Sequence, residues 1–286
     1  FPKEAYLGVA TGTFVNRNHF AGYMELCLAV GIGYMIATLK DDAMSWRDLG
    51  RRTLEAFLGP KARVRIGLVI MVAALVMTHS RMGNTAFFAS MTIAGIIALI
   101  LGKRASKSTT ILLTSLIVID LIVVGTFFGV EKVVDRLENT SMTTVKRDEV
   151  NAYAYPLFEE NMYTGTGAGS FYTVFPEHRQ ADVGRKSFNH THNDYLQFAI
   201  EFGLIGFIPL LFAVVLTFIT ALRAQWLRRD PLMRGLSFTT IMAIIAFGIH
   251  SAVDFNLQIP ANAATFMVIL ALGWISMYHK ERSRGG

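Results

Sequence analysis

Long blocks of apolar residues separated by short polar stretches dominate the pattern of this chain. A helix that crosses a bilayer needs about 20 largely apolar residues, and the blocks here approach that length instead of following the spacing of a soluble core. We predict seven spans, all helical because lipid offers no partner for backbone polar groups. They cover residues 20–39, 64–79, 86–101, 110–129, 195–222, 235–253 and 261–278.

Composition supports a membrane location. Of the 286 residues, 52% are hydrophobic and only 17% are charged, with a mean hydropathy of +0.42, whereas a soluble domain is nearer a quarter charged. The sequence therefore predicts an all-α polytopic membrane protein. The chain begins at Phe1 without a signal-peptide pattern, and we expect it to be the C-terminal part of a longer protein.

The basic residues decide the predicted orientation, because Lys and Arg accumulate in short cytoplasmic loops. Most of the 27 Lys and Arg residues lie in segments that seven spans place on one side, the cytoplasmic one. These segments are 40–65, 102–109, 223–234 and the C-terminal tail. The other side is then periplasmic and carries one long loop, which its length exempts from the charge rule. The net charge of +6 thus reflects topology and not nucleic-acid binding.

This topology divides the chain into three parts. Residues 1–129 hold the first four spans and a segment, 44–58, in which apolar residues recur at helical spacing opposite charged ones. That segment is typical of an amphipathic helix on the cytoplasmic leaflet. Residues 130–194 form the large periplasmic loop, and residues 195–286 hold the last three spans and the cytoplasmic tail.

The long loop has a pattern of its own. A helix with aromatic and apolar residues on one side is predicted from Arg147 to Tyr163, and Pro156 should kink or divide it. Gly165, Gly167 and Gly169 then alternate with small residues, which indicates a tight turn. The turn is either a plain turn or an anion-binding nest of backbone amides.

Polar residues gather in four stretches at the predicted periplasmic boundary. They are Asn16 to His19, Arg81, His190 to Asp194, and His250 with Asp254. Charges at a bilayer are costly and are candidate functional sites. Three of these stretches also have a structural alternative: Arg81 could reach lipid phosphate, Asn16 to His19 could cap a helix, and His250 and Asp254 could form a hydrogen-bonded pair at a helix end.

Further polar residues lie within the predicted spans: Glu25, Asp120, Gln197 and Glu201. Asp120 could hydrogen-bond inside the bundle or take part in transport. Gln197 and Glu201 share a helix face with Asp194, and we expect these three to line one cavity with His192.

Four motifs, in the same order, resemble the O-antigen ligase and polymerase superfamily, which includes protein O-oligosaccharyltransferases. His192-Asn193, nine residues, Gly203, two residues and Gly206 resemble its His-Asn/Ser/Gln motif that ends in Gly-x-x-Gly. The other three are the stretch Gly12 to Ala21, the pair Ser80-Arg81, and Arg147 followed by the turn Gly165 to Phe171. The resemblance extends over nearly the whole chain.

The resemblance implies a GT-C-like membrane glycosyltransferase of the bacterial inner membrane with its active site facing the periplasm. The implied donor is a glycan on undecaprenyl diphosphate, and the implied acceptor is a hydroxyl of lipid A-core, of a growing polysaccharide or of a protein. Membrane lipids are further partners, and neither nucleic acid nor a cofactor is expected. We expect no metal, because the site offers no carboxylate cage suited to a hard cation.

The residue types fit this chemistry. Arg81 and Arg147 are assigned to the leaving diphosphate, since the guanidinium binds phosphate oxygens bidentately and stays charged. His192 is assigned to the acceptor hydroxyl as general base. Predicted substrate-binding residues are Asn16, Arg17, Asn193, Gln197, Glu201 and Arg179.

The alternative function is a transporter or flippase for the lipid-linked glycan, and a third is a non-catalytic scaffold. Transporter sites usually lie at the midplane among broken helices and internal repeats. The polar stretches of this chain lie at the predicted outer face, and the spans have no obvious repeat. Asp120 is the feature that favours transport.

The predicted orientation can be tested in cells. Single cysteines at Ser141 and Ser45, in a Cys27→Ser background, should differ in their reaction with an impermeant thiol reagent after the outer membrane is permeabilised. Position 141 should react, because loop 130–194 is predicted to be periplasmic, and position 45 should stay unlabelled. The reverse pattern would invert the topology.

Overall fold

The computed structural model describes residues 7–38, 60–101, 142–178 and 189–280, and parts of 110–118. Regular structure in these residues is entirely helical. The α-helices are α1 (Arg17–Thr38), α2 (Pro60–Met77), α3 (Arg81–Leu101), α4 (Met142–Glu160), α5 (Phe171–His178), α6 (Asp194–Leu227), α7 (Pro231–His250) and α8 (Pro260–Tyr278), with a short 3-10 helix at Asn256–Gln258.

Five of these helices, α1, α3, α6, α7 and α8, are long and apolar enough to cross a membrane. They coincide with five predicted spans, so the all-α polytopic fold is confirmed. The predicted span 64–79 corresponds to α2, which is not among the five. Lys61, Arg63 and Arg65 occupy its first turns and leave a shorter apolar stretch.

Several predicted features lie outside the described residues. The fourth predicted span, 110–129, does so for the most part, as does the amphipathic segment 44–58. Asp120 and Arg179 are also outside them. These features stay predictions.

Helix α7 lies at the centre of the bundle and packs against α1, α3, α6 and α8. It crosses α1 closely, since a Cβ atom on Gly33 would collide with Thr239 and with the carbonyl of Gly235. The hydroxyl of Thr239 donates to the carbonyl of Ala29 at 3.1 Å. Lipid provides no hydrophobic force between membrane helices, so their association depends on close packing. Small residues at the contact permit that close approach.

Helix α6 changes character along its length. Its 34 residues extend about 50 Å at 1.5 Å per residue, which exceeds the ~30 Å hydrocarbon core of a bilayer. The first turns bury Gln197 and Glu201, whereas the later turns expose apolar side chains such as Ile205 and Phe212. Gly203 has a non-helical backbone and separates the two parts.

The helix ends that carry the predicted polar stretches meet at one end of the bundle, here called the site face. Helices α1, α3 and α6 begin there and α7 ends there. A Cβ atom on Gly83 in the first turn of α3 would lie 2.6 Å from Cβ of Ala21 near the start of α1. The amide of Asp194 at the start of α6 donates to the carbonyl of Ser251 after α7, at 2.9 Å.

A second apolar cluster lies beside this face and joins α4, α5 and the start of α6. Its buried members are Val150, Ala154, Leu157, Phe171, Phe175 and Ile200. Helix α4 runs through Pro156 to Glu160, so Pro156 does not divide the helix, and the predicted kink stays a prediction. Ala154 and Leu157, on either side of the proline, are both buried in this cluster.

Candidate functional site

Asp254 lies at the centre of the site face, and only 1% of it is exposed. Nδ2 of Asn18 donates to its Oδ2 at 2.7 Å, and the amide of Phe255 donates to its Oδ1 at 2.9 Å. Nδ1 of His192 lies 3.5 Å from the same Oδ1, and Nε2 of His19 lies 3.8 Å from it. Asp254 thereby joins α1, the stretch before α6 and the connection after α7.

The pKa of the Asp254 carboxyl lies below its ordinary value. Burial alone would raise this pKa, but contacts with the His19 and His192 rings, together with the nearby His250, outweigh burial. The site face therefore holds a carboxylate that stays ionised next to histidine side chains.

Phe255 is surrounded by three imidazoles. The ring of His190 stacks on it with 4.1 Å between centroids. The rings of His19 and His192 meet it edge-on at 4.5 and 4.8 Å. Burial of the imidazole lowers the pKa of His190. Sequence reasoning missed Phe255, because an aromatic residue after a span is ordinary in membrane proteins.

His192 is held in a sparsely populated backbone conformation. Its φ of 57° lies in the left-handed region, which is uncommon for residues other than glycine. The hydroxyl of buried Thr191 accepts from the amide of Asn193 at 3.1 Å and donates to its carbonyl at 2.7 Å, which fixes this bend. The His192 side chain keeps 20% of its surface exposed, so a ligand can reach the ring.

The motif asparagines cap helices. Oδ1 of Asn193 accepts from the amides of Tyr195 and Leu196 at 3.1 and 3.2 Å and so caps α6. Oδ1 of Asn16 accepts from the amide of Asn18 at 2.9 Å at the start of α1. An N-cap stabilises a helix by satisfying amides that lack a partner within it.

The predicted arginines occupy helix starts and the loop. Arg17 is the first residue of α1 and Arg81 the first of α3, where its side chain is exposed. Ser80 precedes Arg81 and caps α3, since its hydroxyl accepts from the amide of Gly83 at 3.2 Å. Arg147 lies in α4, which packs on α6.

The glycine turn, residues 164–170, is fastened to the first part of α6. The amides of Thr166 and Gly167 donate to the carbonyls of Ile200 and Glu201, each at 2.9 Å. The amide of Gly169 donates to Oε2 of Glu201, also at 2.9 Å. These amides are used within the protein, so the interpretation as an anion-binding nest is wrong.

The motif glycine Gly203 makes this attachment possible. Its φ of 59° and ψ of −178° define a conformation that is essentially restricted to glycine. A Cβ atom on Gly203 would collide with the carbonyl of Tyr163, and one on Gly165 would collide with the amide of Gly203. The amide of Leu204 donates across the contact to Met162 at 2.8 Å. Two glycine-containing motifs therefore meet backbone to backbone.

Gln197 and Glu201 lie on one face of α6 as predicted, and they are bonded to each other. Nε2 of Gln197 donates to Oε1 of Glu201 at 3.0 Å, and its amide group lies 3.1–3.2 Å from Nδ1 of His190. Asp194 does not hydrogen-bond to Gln197 or Glu201 through its Oδ2. That oxygen accepts from the hydroxyl of Ser251 at 2.9 Å and from the amide of Leu257 at 3.0 Å.

The His250 side chain is paired with Glu25 and not with Asp254. Nδ1 of His250 lies 2.7 Å from Oε1 of Glu25, and both side chains are fully buried between α1 and α7. The structural alternative considered for His250 and Asp254 holds for the backbone and not for the side chains, since the amide of Asp254 donates to the carbonyl of His250 at 3.1 Å. Among the described residues, no three His, Cys, Asp or Glu side chains are grouped as metal ligands.

The fold and this site define a polytopic helical membrane protein with histidines, a buried carboxylate and helix-start arginines at one end of its bundle. The family model described as O-antigen ligase matches residues 66–211, half of the chain, and the chain belongs to this family. It is thus an enzyme of the membrane glycosyltransferase type. No curated protein matches the chain. The matched segment contains Arg81, Arg147 and His192, whereas Asn18 and Asp254 come from the flanking chain.

Replacing Asp254 should destabilise the fold in a pH-dependent way. Its folded-state pKa is lowered, so its contribution is present above the unfolded pKa of about 3.9 and is lost as pH falls through the folded pKa. Asp254→Asn should cost about 1.5–3 kcal/mol at pH 7, the usual worth of a hydrogen bond to a charged group. The measurement is the Tm of the purified protein in detergent.

The Tm difference between wild type and Asp254→Asn should narrow below about pH 4. Glu160→Gln is the matched control, because Glu160 also lies 3.1 Å from a histidine, His178, but is largely exposed. Exposed pairs contribute little. Equal Tm values for wild type and Asp254→Asn at pH 7 would show that Asp254 does not hold the site face together.

Proposed function

We propose that this enzyme transfers a glycan from undecaprenyl diphosphate to an acceptor hydroxyl at the periplasmic face of the bacterial inner membrane. The observation that carries the proposal is the accessible imidazole of His192 beside the buried, ionised Asp254, at the face where α3 begins with Arg81. Membership of the O-antigen ligase family supports the class of reaction.

His192 acts as the general base. Nδ1 of His192 lies 3.5 Å from Oδ1 of Asp254; in the tautomer with the proton on this nitrogen, the opposite ring nitrogen has a free lone pair that accepts the proton of the acceptor hydroxyl. The hydroxyl oxygen attacks the anomeric carbon of the glycan as the bond from that carbon to the phosphate oxygen breaks. Undecaprenyl diphosphate leaves with the bonding electrons. Asp254 orients the imidazole and stabilises the imidazolium that forms, as in other imidazole–carboxylate pairs.

Arginines stabilise the leaving diphosphate. Arg81 is placed at the first position of α3, where the helix dipole also favours an anion. Arg147, a residue of α4, is assigned to the same diphosphate, with Arg17 and Arg179 as further phosphate ligands. Cations already in place where negative charge develops are usually a large catalytic contribution.

Asn16 and Asn193 complete the proposed substrate contacts. Each uses its side-chain oxygen to cap a helix, which holds the residue at the site face. Each also has an amide NH₂ group that can donate to a sugar hydroxyl or a phosphate oxygen.

Loss of the base should abolish transfer without unfolding the protein. His192→Ala should lower turnover by about 10²–10⁴-fold, the usual worth of general-base catalysis. The measurement is product formation by the whole protein in proteoliposomes with undecaprenyl diphosphate glycan and, in turn, lipid A-core, polysaccharide and protein acceptors. His178→Ala is the control, since His178 belongs to the same loop but pairs with exposed Glu160.

Wild-type turnover by His192→Ala would remove this residue from the mechanism. Movement of the donor across the bilayer by the wild type, without a new glycosidic bond to any acceptor, would favour the transporter.

Geometry as well as charge should matter at the arginines. Arg81→Lys and Arg147→Lys keep the charge but lose the planar fork that binds phosphate bidentately, so both should lose most turnover, nearly as much as the alanine variants. Arg229→Lys, exposed after α6 at the opposite end of the bundle, is the control and should be tolerated. Normal turnover by both lysine variants would show that the arginines contribute only positive charge and do not bind the diphosphate bidentately.

A further inference from the structure

A continuous chain of contacts links the glycine turn to the histidines at the site face. It starts at the amide of Gly169, which donates to Oε2 of Glu201 at 2.9 Å. Oε1 of Glu201 accepts from Gln197 at 3.0 Å, and the Gln197 amide group lies against Nδ1 of His190. His190 in turn stacks on Phe255.

From Phe255 the chain reaches the proposed base. The ring of His192 meets Phe255 edge-on at 4.8 Å between centroids, and the amide of Phe255 donates to Asp254. Every link is therefore a hydrogen bond or a ring contact between neighbouring groups. This series of contacts therefore begins at Gly169 in the glycine turn and ends at His192, the proposed base.

The hydrogen bonds of Glu201 and Gln197 leave few polar atoms and little exposed surface for contact with a substrate. Both oxygens of Glu201 accept hydrogen bonds from the protein, and each of the two residues is only 2% exposed. Oε1 of Gln197 also lies 3.4 Å from the amide of Thr191. A buried carboxyl group that is bonded in this way organises its surroundings, since leaving any of these groups without a partner would be costly.

We propose that Glu201 and Gln197 are positioning residues that fix the glycine turn relative to the histidines, and not the substrate ligands that the sequence predicts. This inference rests on the proposed function. The turn follows α4, which carries Arg147, and the backbone contact between Gly165 and Gly203 fastens the same region to α6. Glu201 and Gln197 thus set the separation between the donor-binding loop and the base His192.

The test compares the single variant Glu201→Gln with a double variant in which the side chains at positions 197 and 201 are swapped. In the single variant the new NH₂ group faces either the NH₂ of Gln197 or the amide of Gly169, so one donor loses its acceptor. The double variant Gln197→Glu with Glu201→Gln restores the pattern. Gln at 201 then accepts from Gly169 and donates to Glu at 197, which still offers an oxygen to Thr191 and His190.

The kinetic readout separates positioning from direct binding. Glu201→Gln should raise the KM for the undecaprenyl diphosphate glycan on the order of tenfold, the effect of one unpaired buried donor, and should leave the KM for the acceptor unchanged. The double variant should regain most of the loss, although no carboxyl group remains at 201. Glu159→Gln, exposed on α4, is the matched control and should behave as wild type.

Hydrogen exchange gives a readout that does not depend on transfer. Peptides covering residues 164–170 should exchange faster in Glu201→Gln and return to the wild-type rate in the double variant. Wild-type donor KM in Glu201→Gln would overturn the proposal. So would a double variant as impaired as the single one, because Glu201 would then contact the substrate itself.

Failure of the proposed function has a different signature. It would appear as absence of transfer by the wild type with every acceptor, whatever the exchange rates. If exchange in the turn is unchanged by Glu201→Gln, the coupling is wrong even when wild-type transfer is normal.

Discussion

A carboxylate buried at the end of a helical bundle is costly unless polar groups surround it, and the surroundings of Asp254 determine how the site face is built. Its partners come from separate parts of the chain: Asn18 and His19 open α1, and His192 precedes α6. Satisfying one carboxyl group therefore draws these segments together. The proposed base owes its environment to this contact, because Asp254 is its nearest acidic neighbour among the described ion pairs.

The second constraint is the backbone contact at Gly203. A helix that continued unbroken from Asp194 would keep its amides and carbonyls to itself, and the loop would have nothing to bond. The break at Gly203 frees the amide of Leu204 for Met162 and leaves the carbonyl of Glu201 for Gly167. Neither Gly203 nor Gly165 can carry a Cβ atom there. The kink thus attaches the loop within a few residues of the histidines.

The architecture follows from the sequence to a large extent, since a bilayer leaves few choices for a long apolar segment. Five predicted spans are observed as helices of sufficient length, and the polar stretches around Arg17, Arg81, His192 and Asp254 lie at helix ends. Helical periodicity determines which residues share a helix face, so the proximity of Gln197 and Glu201 could be predicted from the sequence.

Partners between distant segments were not predictable in this way. The bond from Glu25 to His250 and the stacking of His190 on Phe255 depend on how α1, α6 and α7 are rotated against one another. Spacing along one helix carries no information on that rotation. For the same reason the sequence did not reveal that the His250 side chain pairs with Glu25, whereas the backbone hydrogen bond between His250 and Asp254, four residues apart, is present.

The position of the donor diphosphate tests the central claim most directly. A cryo-EM structure of the whole protein in nanodiscs with undecaprenyl diphosphate should contain diphosphate density at the site face, in contact with the Arg81 side chain and within reach of the His192 ring. Density at the middle of the bilayer, or at the opposite end of the bundle where α7 begins, would contradict a glycosyl transfer site at this face.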